Sequence, residues 1–219
     1  MNLWPAIATP DVNKKEKEML KKFSSVLLAV TLMFGYSFAL AQEHPAQSMV
    51  VKSITTMLDV LKIEGDRIKA DPAYLQSRVD ELIVPNLDFN TMTKLAVGKF
   101  WKRADAAQKT ELVVEFRTLL LNTYTGALSQ YSGESIEFEP FRAEKRDDRA
   151  VVRSTFSQSA ASDVPVVYKL RNKNGWQIYD IEVNSISLVT SYRSAFANEI
   201  SNGGIAGLIE TLLERNNKS

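Results

Sequence analysis

The segment 164–183 reads VPVVYKLRNKNGWQIYDIEV and decides the fold class. Two runs rich in Val, Ile, Tyr and Trp, at 164–171 and 176–183, flank the turn sequence at 172–175. This pattern is typical of an antiparallel hairpin. Two more strands are predicted upstream, at 135–141 and 150–157, so the second half of the chain is expected to form a meander of four antiparallel strands.

Helical periodicity characterises the residues before the sheet. Apolar residues recur every three to four positions over 46–69, which predicts one amphipathic helix. Asp71 and Pro72 predict the N-cap and first residue of a second helix, which Pro85 ends. Asp88 is the predicted cap of a short third helix.

The longest predicted helix comes directly before the strands. Asp105 and Gln108 fit a capping box, and the apolar stripe behind them continues to Tyr131. Helical periodicity returns from residue 185, and the Asn-Gly-Gly sequence at 202–204 predicts a break before a last helix. The fold class is therefore α+β, with N-terminal helices, a curved four-stranded antiparallel sheet and C-terminal helices.

The N-terminus is interpreted as an export signal. Lysines at 21–22 precede an apolar run at 23–38 and a small-x-small site at 39–41, which predicts a cleaved signal peptide over 1–41. The alternative is a transmembrane helix, but the run is shorter than the roughly 18 to 20 apolar residues that span a bilayer. Met19 would make a more ordinary start than the first methionine.

Residues 42–219 are expected to form one domain, although a division into a helical and a sheet domain is conceivable. The chain has 27 basic and 26 acidic residues, of which the predicted leader holds five and three, so 42–219 carries 22 basic and 23 acidic residues. This nearly neutral balance argues against a nucleic-acid-binding surface. The chain has no cysteine, and its one histidine, His44, falls where a frayed end is expected. Catalytic Ser/His/Asp and Cys/His sets and His/Cys zinc sites are therefore excluded, and no metal or cofactor is predicted.

Two interpretations of the remaining residues stay open. The long helix and the strands are rich in aromatic residues, which either fill a core or line a cleft for an apolar ligand. Asp180, with Arg193 as its electrostatic partner, or Asp88 could serve as the general base of an exported enzyme with an apolar substrate cleft. A structural ion pair and a helix cap are the simpler roles for these carboxylates.

Several short motifs recur in a fixed order that resembles a known family. They are PNLDF at 85–89, GKFW at 98–101, VYKL at 167–170, WQIYDI at 176–181, YRSAF at 192–196 and GGIAGLI at 203–209. The chain resembles the MlaC family, the periplasmic phospholipid-binding proteins also known as toluene-tolerance auxiliary proteins. The resemblance covers essentially all of 42–219.

The resemblance implies an α+β domain whose deep apolar cavity takes the acyl chains of a phospholipid, with the headgroup near solvent. It implies a monomeric periplasmic carrier rather than an enzyme. Its partners would be an outer-membrane lipoprotein–porin complex and an inner-membrane ABC transporter with an MCE-domain ring, and its role would be to maintain outer-membrane lipid asymmetry. A ligand-free scaffold or chaperone is a further alternative.

The lipid-binding residues are predicted on the long helix, on the inward face of the strands and at the start of the following helix. They are Leu120, Tyr124, Leu128, Tyr131, Val152, Val167, Tyr168, Leu170, Trp176, Ile178, Ile186 and Val189. On this assignment, Ile186→Glu is expected to abolish lipid retention without unfolding the protein, since it puts a charge against acyl chains.

Overall fold

The computed structural model describes residues 43–157 and 162–218. The predicted signal peptide at 1–41 and most of the predicted turn at 158–163 lie outside the described residues. Within the described ranges, no helix combines the length and the hydropathy required to cross a bilayer.

Three helices open the described chain: α1 (Pro45–Ile63), α2 (Gly65–Ala70) and α3 (Pro72–Leu82). The prediction of one helix over 46–69 was wrong, because Glu64 leaves helical geometry at φ −110° and ψ 18°. The break falls beside Gly65, and glycine is a poor helix former. The predicted cap of α3 is confirmed: the Asp71 carboxylate accepts hydrogen bonds from the backbone N–H groups of Ala73 and Tyr74 at 3.0 and 3.2 Å.

Further helical elements precede the sheet: a 3-10 turn (Val84–Asn86), α4 (Phe89–Val97), a 3-10 helix (Gly98–Arg103) and α5 (Ala106–Leu128). Asp88 caps α4 as predicted, accepting from the backbone N–H of Thr91 at 2.9 Å. The capping box of α5 is also confirmed. Asp105 and Gln108 exchange side-chain-to-backbone hydrogen bonds of 3.2 and 2.8 Å.

The sheet is an antiparallel meander with strand order β1-β2-β3-β4-β5. The strands are β1 (Ser135–Phe138), β2 (Arg149–Ser157), β3 (Val164–Asn172), β4 (Trp176–Val183) and β5 (Ile186–Ser187). The four predicted strands are present, and β1 ends before Pro140, which has no backbone N–H to donate. The fifth strand was not predicted. Asn184 and Ser185 form the turn between β4 and β5, and both have a positive φ (50° and 65°), as a two-residue hairpin turn requires.

A β-bulge changes which side chains of β4 face the helices. Tyr168 lies opposite Ile181 and Lys169 opposite Asp180, but Leu170 lies opposite Ile178, so β4 holds one extra residue. Such a bulge shifts the alternation of faces along the strand. As a result, Ile178 and Ile181 pack against the same core although their spacing is odd.

The last element of the described residues is α6 (Leu188–Lys218), which packs on α4 and α5. The predicted break is confirmed as a kink at Gly204, whose φ of 69° and ψ of −170° are not helical. Leu112 and Phe116 of α5 are fully buried against Val189 and Phe196 of α6. We call this cluster of α4, α5 and α6 side chains the helical core.

Two other clusters are built around α1. Its N-terminal half places Val50 against the sheet residues Val152 and Tyr168, which we call the sheet core. Its C-terminal half packs Met57 with α2, α3 and the end of α5, which we call the N-terminal core.

His44 is not in a frayed end, contrary to expectation. Its ring Nδ1 accepts from the backbone N–H of Ala46 at 3.2 Å, which caps α1. The ring stacks on Phe141 with 4.1 Å between centroids, and it makes a T-shaped contact with Trp176 with 5.1 Å between centroids. The start of α1 is therefore fastened to the sheet by aromatic contacts.

Candidate functional site

An apolar cavity of about 250 Å³ lies where the three cores meet. The side chains around it are almost all aliphatic or aromatic. They are Ile54, Met57, Leu58, Leu61, Val79, Ile83, Leu87, Phe89, Met92, Leu120, Leu121, Tyr124, Thr125, Leu128, Phe156, Ile181 and Leu188. None of these seventeen side chains carries a charge, so this apolar cavity suits a hydrocarbon ligand.

The two halves of α5 have different neighbours. Leu112 and Phe116, in the first half, are completely buried in the helical core. Leu121, Tyr124 and Leu128, in the second half, face the apolar cavity. One helix therefore anchors the fold at its start and forms a cavity wall at its end.

The sheet contributes one wall of the apolar cavity through Phe156 of β2 and Ile181 of β4. Ile181 lies opposite the inward-facing Tyr168, and the bulge in β4 lets Ile178 share this face despite the odd spacing. Leu188, at the start of α6, lies beside them. Two of these three residues, Phe156 and Ile181, are therefore held in place by the pairing of the strands.

Tyr124 combines a cavity position with partial exposure, since 42% of its surface is accessible. Burial, together with the neighbouring Tyr192, raises the pKa of Tyr124 to about 12. The hydroxyl therefore stays neutral across physiological pH. Tyr124 can present a polar group at the edge of the apolar cavity without placing a charge there.

Some of the predicted lipid-binding residues lie on the apolar cavity: Leu120, Tyr124 and Leu128. Tyr131 lies just beyond them, in a neighbouring groove that shares Leu61 and Leu128 with the cavity. Its hydroxyl donates to the backbone oxygen of Glu134 at 3.1 Å.

The structure places most of the predicted strand residues in packed layers instead. Val152, Tyr168, Leu170 and Ile178 are buried in the sheet core against α1. Burial raises the pKa of Tyr168. Trp176 packs at the edge of the same core, beside His44.

The remaining predicted residues lie away from the apolar cavity. Val167 pairs with Arg153 and Glu182 across the strands, on the sheet face that carries Lys169 rather than Tyr168. Val189 is fully buried in the helical core. Ile186 is 66% exposed in the β4–β5 hairpin, because β5 turns it outward.

Sequence reasoning missed the contribution of α1. Ile54, Met57, Leu58 and Leu61 follow the spacing i, i+3, i+4 and i+7 and all line the apolar cavity. This spacing predicts an apolar face but does not identify the surface opposite it. The stripe itself was therefore visible in the sequence, but its place on the apolar cavity was not.

Asp180 is not paired with Arg193, contrary to the functional hypothesis. Arg193 donates to the backbone oxygen of Leu95 through Nε and Nη2 at 3.1 and 2.9 Å, and so caps the end of α4. Asp180 accepts from Ser187 Oγ at 2.8 Å and lies 3.4 Å from Lys169 Nζ. These contacts fasten β4 to β5 and β3.

Lys169 also forms an ion pair with Glu182. Burial lowers the pKa of Lys169, but the Glu182 and Asp180 carboxylates outweigh burial and raise it overall. The three groups form a charge network on the sheet face that carries Lys169. Neither carboxylate of this network lines the apolar cavity.

Asp88 is likewise committed to structural contacts. Besides capping α4, its carboxylate lies 3.4 Å from Arg171 Nε and 3.3 Å from Lys173 Nζ. It also accepts from Thr91 Oγ1 at 2.6 Å. Among the described residues, no group of three or more His, Cys, Asp or Glu side chains could hold a metal ion.

Comparison with known proteins agrees with this architecture. The family model described as MlaC protein matches residues 52–214. This chain belongs to the MlaC family. The match includes α1 from its second turn, the whole sheet and most of α6, so the apolar cavity lies within the MlaC family region.

Individual relatives match over most of their length. The chain is 26% identical to toluene tolerance protein ttg2D of Pseudomonas putida, over 80% of this chain and 82% of the relative. It is 22% identical to the intermembrane phospholipid transport system binding protein MlaC of Haemophilus influenzae, over 87% of this chain and 91% of the relative. A solved phospholipid-binding protein from Ralstonia solanacearum, in complex with a phospholipid, is 34% identical. It matches with a TM-score of 0.73 over 80% of this chain and 98% of its own.

Proposed function

We propose that this protein binds the acyl chains of a phospholipid in the apolar cavity and carries the lipid through the periplasm. The observation that carries the proposal is a charge-free cavity at the junction of three cores. The phospholipid-bound relative from Ralstonia solanacearum and the transport-system relative from Haemophilus influenzae support the same ligand.

The energetics explain why a carrier is needed. Each buried methylene is worth about 0.8 kcal/mol, so exposing two chains of about 30 methylenes to water costs on the order of 20 kcal/mol. A protein that replaces the bilayer interior with apolar side chains removes most of this barrier. Transfer between a membrane and such a cavity is then close to thermoneutral.

The cavity must widen to hold a whole lipid. Its volume of about 250 Å³ is below the roughly 300 to 1,000 Å³ of pockets that enclose a drug-sized ligand. The cavity walls include Tyr124 and Leu128, from a half of α5 that also borders two open grooves. We propose that this half of α5 moves away from α1 when lipid enters.

The proposed route runs between an outer-membrane lipoprotein–porin complex and an inner-membrane ABC transporter with an MCE-domain ring. In this role the protein helps to maintain outer-membrane lipid asymmetry and performs no catalysis. The structural contacts of Asp88 and Asp180 support a carrier rather than an enzyme, because both carboxylates are already bound to cations and hydrogen-bond donors.

A vesicle assay tests the carrier function. The purified protein is expected to transfer fluorescent phospholipid between donor and acceptor vesicles, and Leu121→Glu should abolish transfer because it buries a carboxylate in the apolar cavity. Ile186→Glu is the matched control and should transfer normally, since Ile186 is exposed. Leu58→Trp fills the cavity without adding charge and should also reduce transfer. Normal transfer by both cavity variants, with helicity retained in circular dichroism, would contradict the proposal.

A further inference from the structure

A second, polar groove of about 560 Å³ runs along the other side of α5. Its polar lining comes from α2, α3, the end of α5 and the turn that follows α5: Lys69, Gln76, Asn122, Thr125, Ser129 and Gln130. Thr125 belongs to the walls of both the polar groove and the apolar cavity. The polar groove and the apolar cavity therefore adjoin at Thr125.

The hydroxyl of Thr125 has no hydrogen-bond partner, although its oxygen is buried. Thr118 and Thr123 of the same helix each donate to the backbone oxygen four residues earlier, at 3.0 and 2.7 Å. The Thr125 hydroxyl makes no such hydrogen bond to its own helix. A buried hydroxyl without a partner is unfavourable, and an incoming ligand oxygen would relieve it.

The charge of the polar groove suits an anion. Its lining holds the Lys69 ammonium, three side-chain amides and two hydroxyls, and no carboxylate. Over the described residues, Lys69 makes no ion pair with any Asp or Glu. The neighbouring groove beside Tyr131 also includes Lys69 but carries Asp66, which makes it less favourable for an anion.

We propose that the polar groove binds the phosphate-bearing headgroup of the lipid whose tails occupy the apolar cavity. Lys69 pairs with the phosphate, and the Thr125 hydroxyl donates to a lipid oxygen at the boundary between headgroup and tails. This inference rests on the proposed lipid-binding function and adds a headgroup site to it. The side-chain amide of Asn122 adds a donor to the headgroup site, whereas that of Gln76 already donates to Asp80 Oδ2 at 3.3 Å.

The test compares two lipids with identical tails, phosphatidylglycerol and diacylglycerol, each added to delipidated protein at the same concentration from a phosphate-free dispersion in nonionic detergent. Wild-type protein should prefer phosphatidylglycerol about tenfold or more, as expected for a charge-assisted contact. Lys69→Glu should lose this preference and still bind diacylglycerol. Lys52→Glu, the same charge change at an exposed position on α1, should keep it.

Substitutions at Thr125 test the headgroup site independently of Lys69. Thr125→Val should raise the melting temperature of delipidated protein, since it removes an unpaired hydroxyl, and should lower the preference for phosphatidylglycerol several-fold. Thr125→Ser should restore the preference. An unchanged preference in both Lys69→Glu and Thr125→Val would overturn the headgroup site.

Inorganic phosphate distinguishes the source of the anion. It should bind delipidated wild-type protein far more weakly than phosphatidylglycerol does, and equally tight binding would assign the polar groove to free phosphate instead. Binding of neither lipid by wild-type protein would overturn the carrier function itself, whereas equal binding of both lipids would overturn only the headgroup site.

Discussion

The first half of α5, residues 106–119, and its second half, residues 120–128, belong to one continuous helix but to two different environments. In the first half Leu112 and Phe116 have no exposed surface. In the second half Leu121 and Tyr124 border the apolar cavity. The comparison teaches that an apolar helical stripe is compatible with either a filled core or a lined cavity. Only the arrangement of the opposing elements decides which one forms.

The largest expected difference between the halves is in stability. Phe116→Ala should lower the free energy of unfolding by about 3 to 5 kcal/mol, because it empties a filled site. Leu121→Ala should cost only about 1 to 2 kcal/mol, because one side of Leu121 already faces a void and loses few contacts. Urea denaturation of the delipidated wild type and both variants measures the two losses in the free energy of unfolding. Equal losses would mean that the two halves are packed alike.

A smaller effect is expected when side chains are enlarged. Leu112→Phe should destabilise the protein by about 1 to 3 kcal/mol, since the helical core has no room for extra atoms. Leu58→Phe should change stability by less than about 0.5 kcal/mol, because the ring can enter the apolar cavity. Thermal unfolding of the delipidated variants compares them. A destabilised Leu58→Phe would contradict the open cavity.

The smallest expected effect concerns pH. Because folding raises the pKa of Tyr124 to about 12, the neutral hydroxyl favours the folded state and its contribution is fully present below pH of about 10. This contribution should be lost as pH rises from about 10 to about 12, where the unfolded state releases its proton first. Tyr124→Phe should therefore show a shallower loss of stability than wild type over this window. Identical slopes in denaturant titrations would rule out the raised pKa.

Local features of the fold could be predicted from sequence because short-range hydrogen bonds determine them. Asp71, Asp88 and the Asp105–Gln108 pair each cap the predicted helix. The kink at Gly204 is also a local feature, since glycine readily adopts the positive φ of 69° found there. The break between α1 and α2 was missed, because the apolar stripe continues through it while the backbone does not.

The site was less predictable, because it depends on contacts between distant segments. Tyr168 and Leu170 face inward as an alternating strand pattern predicts, but α1 covers them, so they join the sheet core. Ile178 and Ile181 share the inward face only because of the bulge in β4, which has no clear signal in the sequence. Ile186 was expected inside but lies in an exposed hairpin, since two residues with positive φ reverse the chain before it.

Native mass spectrometry of the purified protein, followed by solvent extraction, tests the central claim most directly. Wild-type protein should carry a mass increment equal to one bound phospholipid, and the extract should contain that lipid. Leu121→Glu should lack the increment, while Ile186→Glu should retain it. A folded wild-type protein without bound lipid, which also fails to acquire any from phospholipid vesicles, would contradict the account.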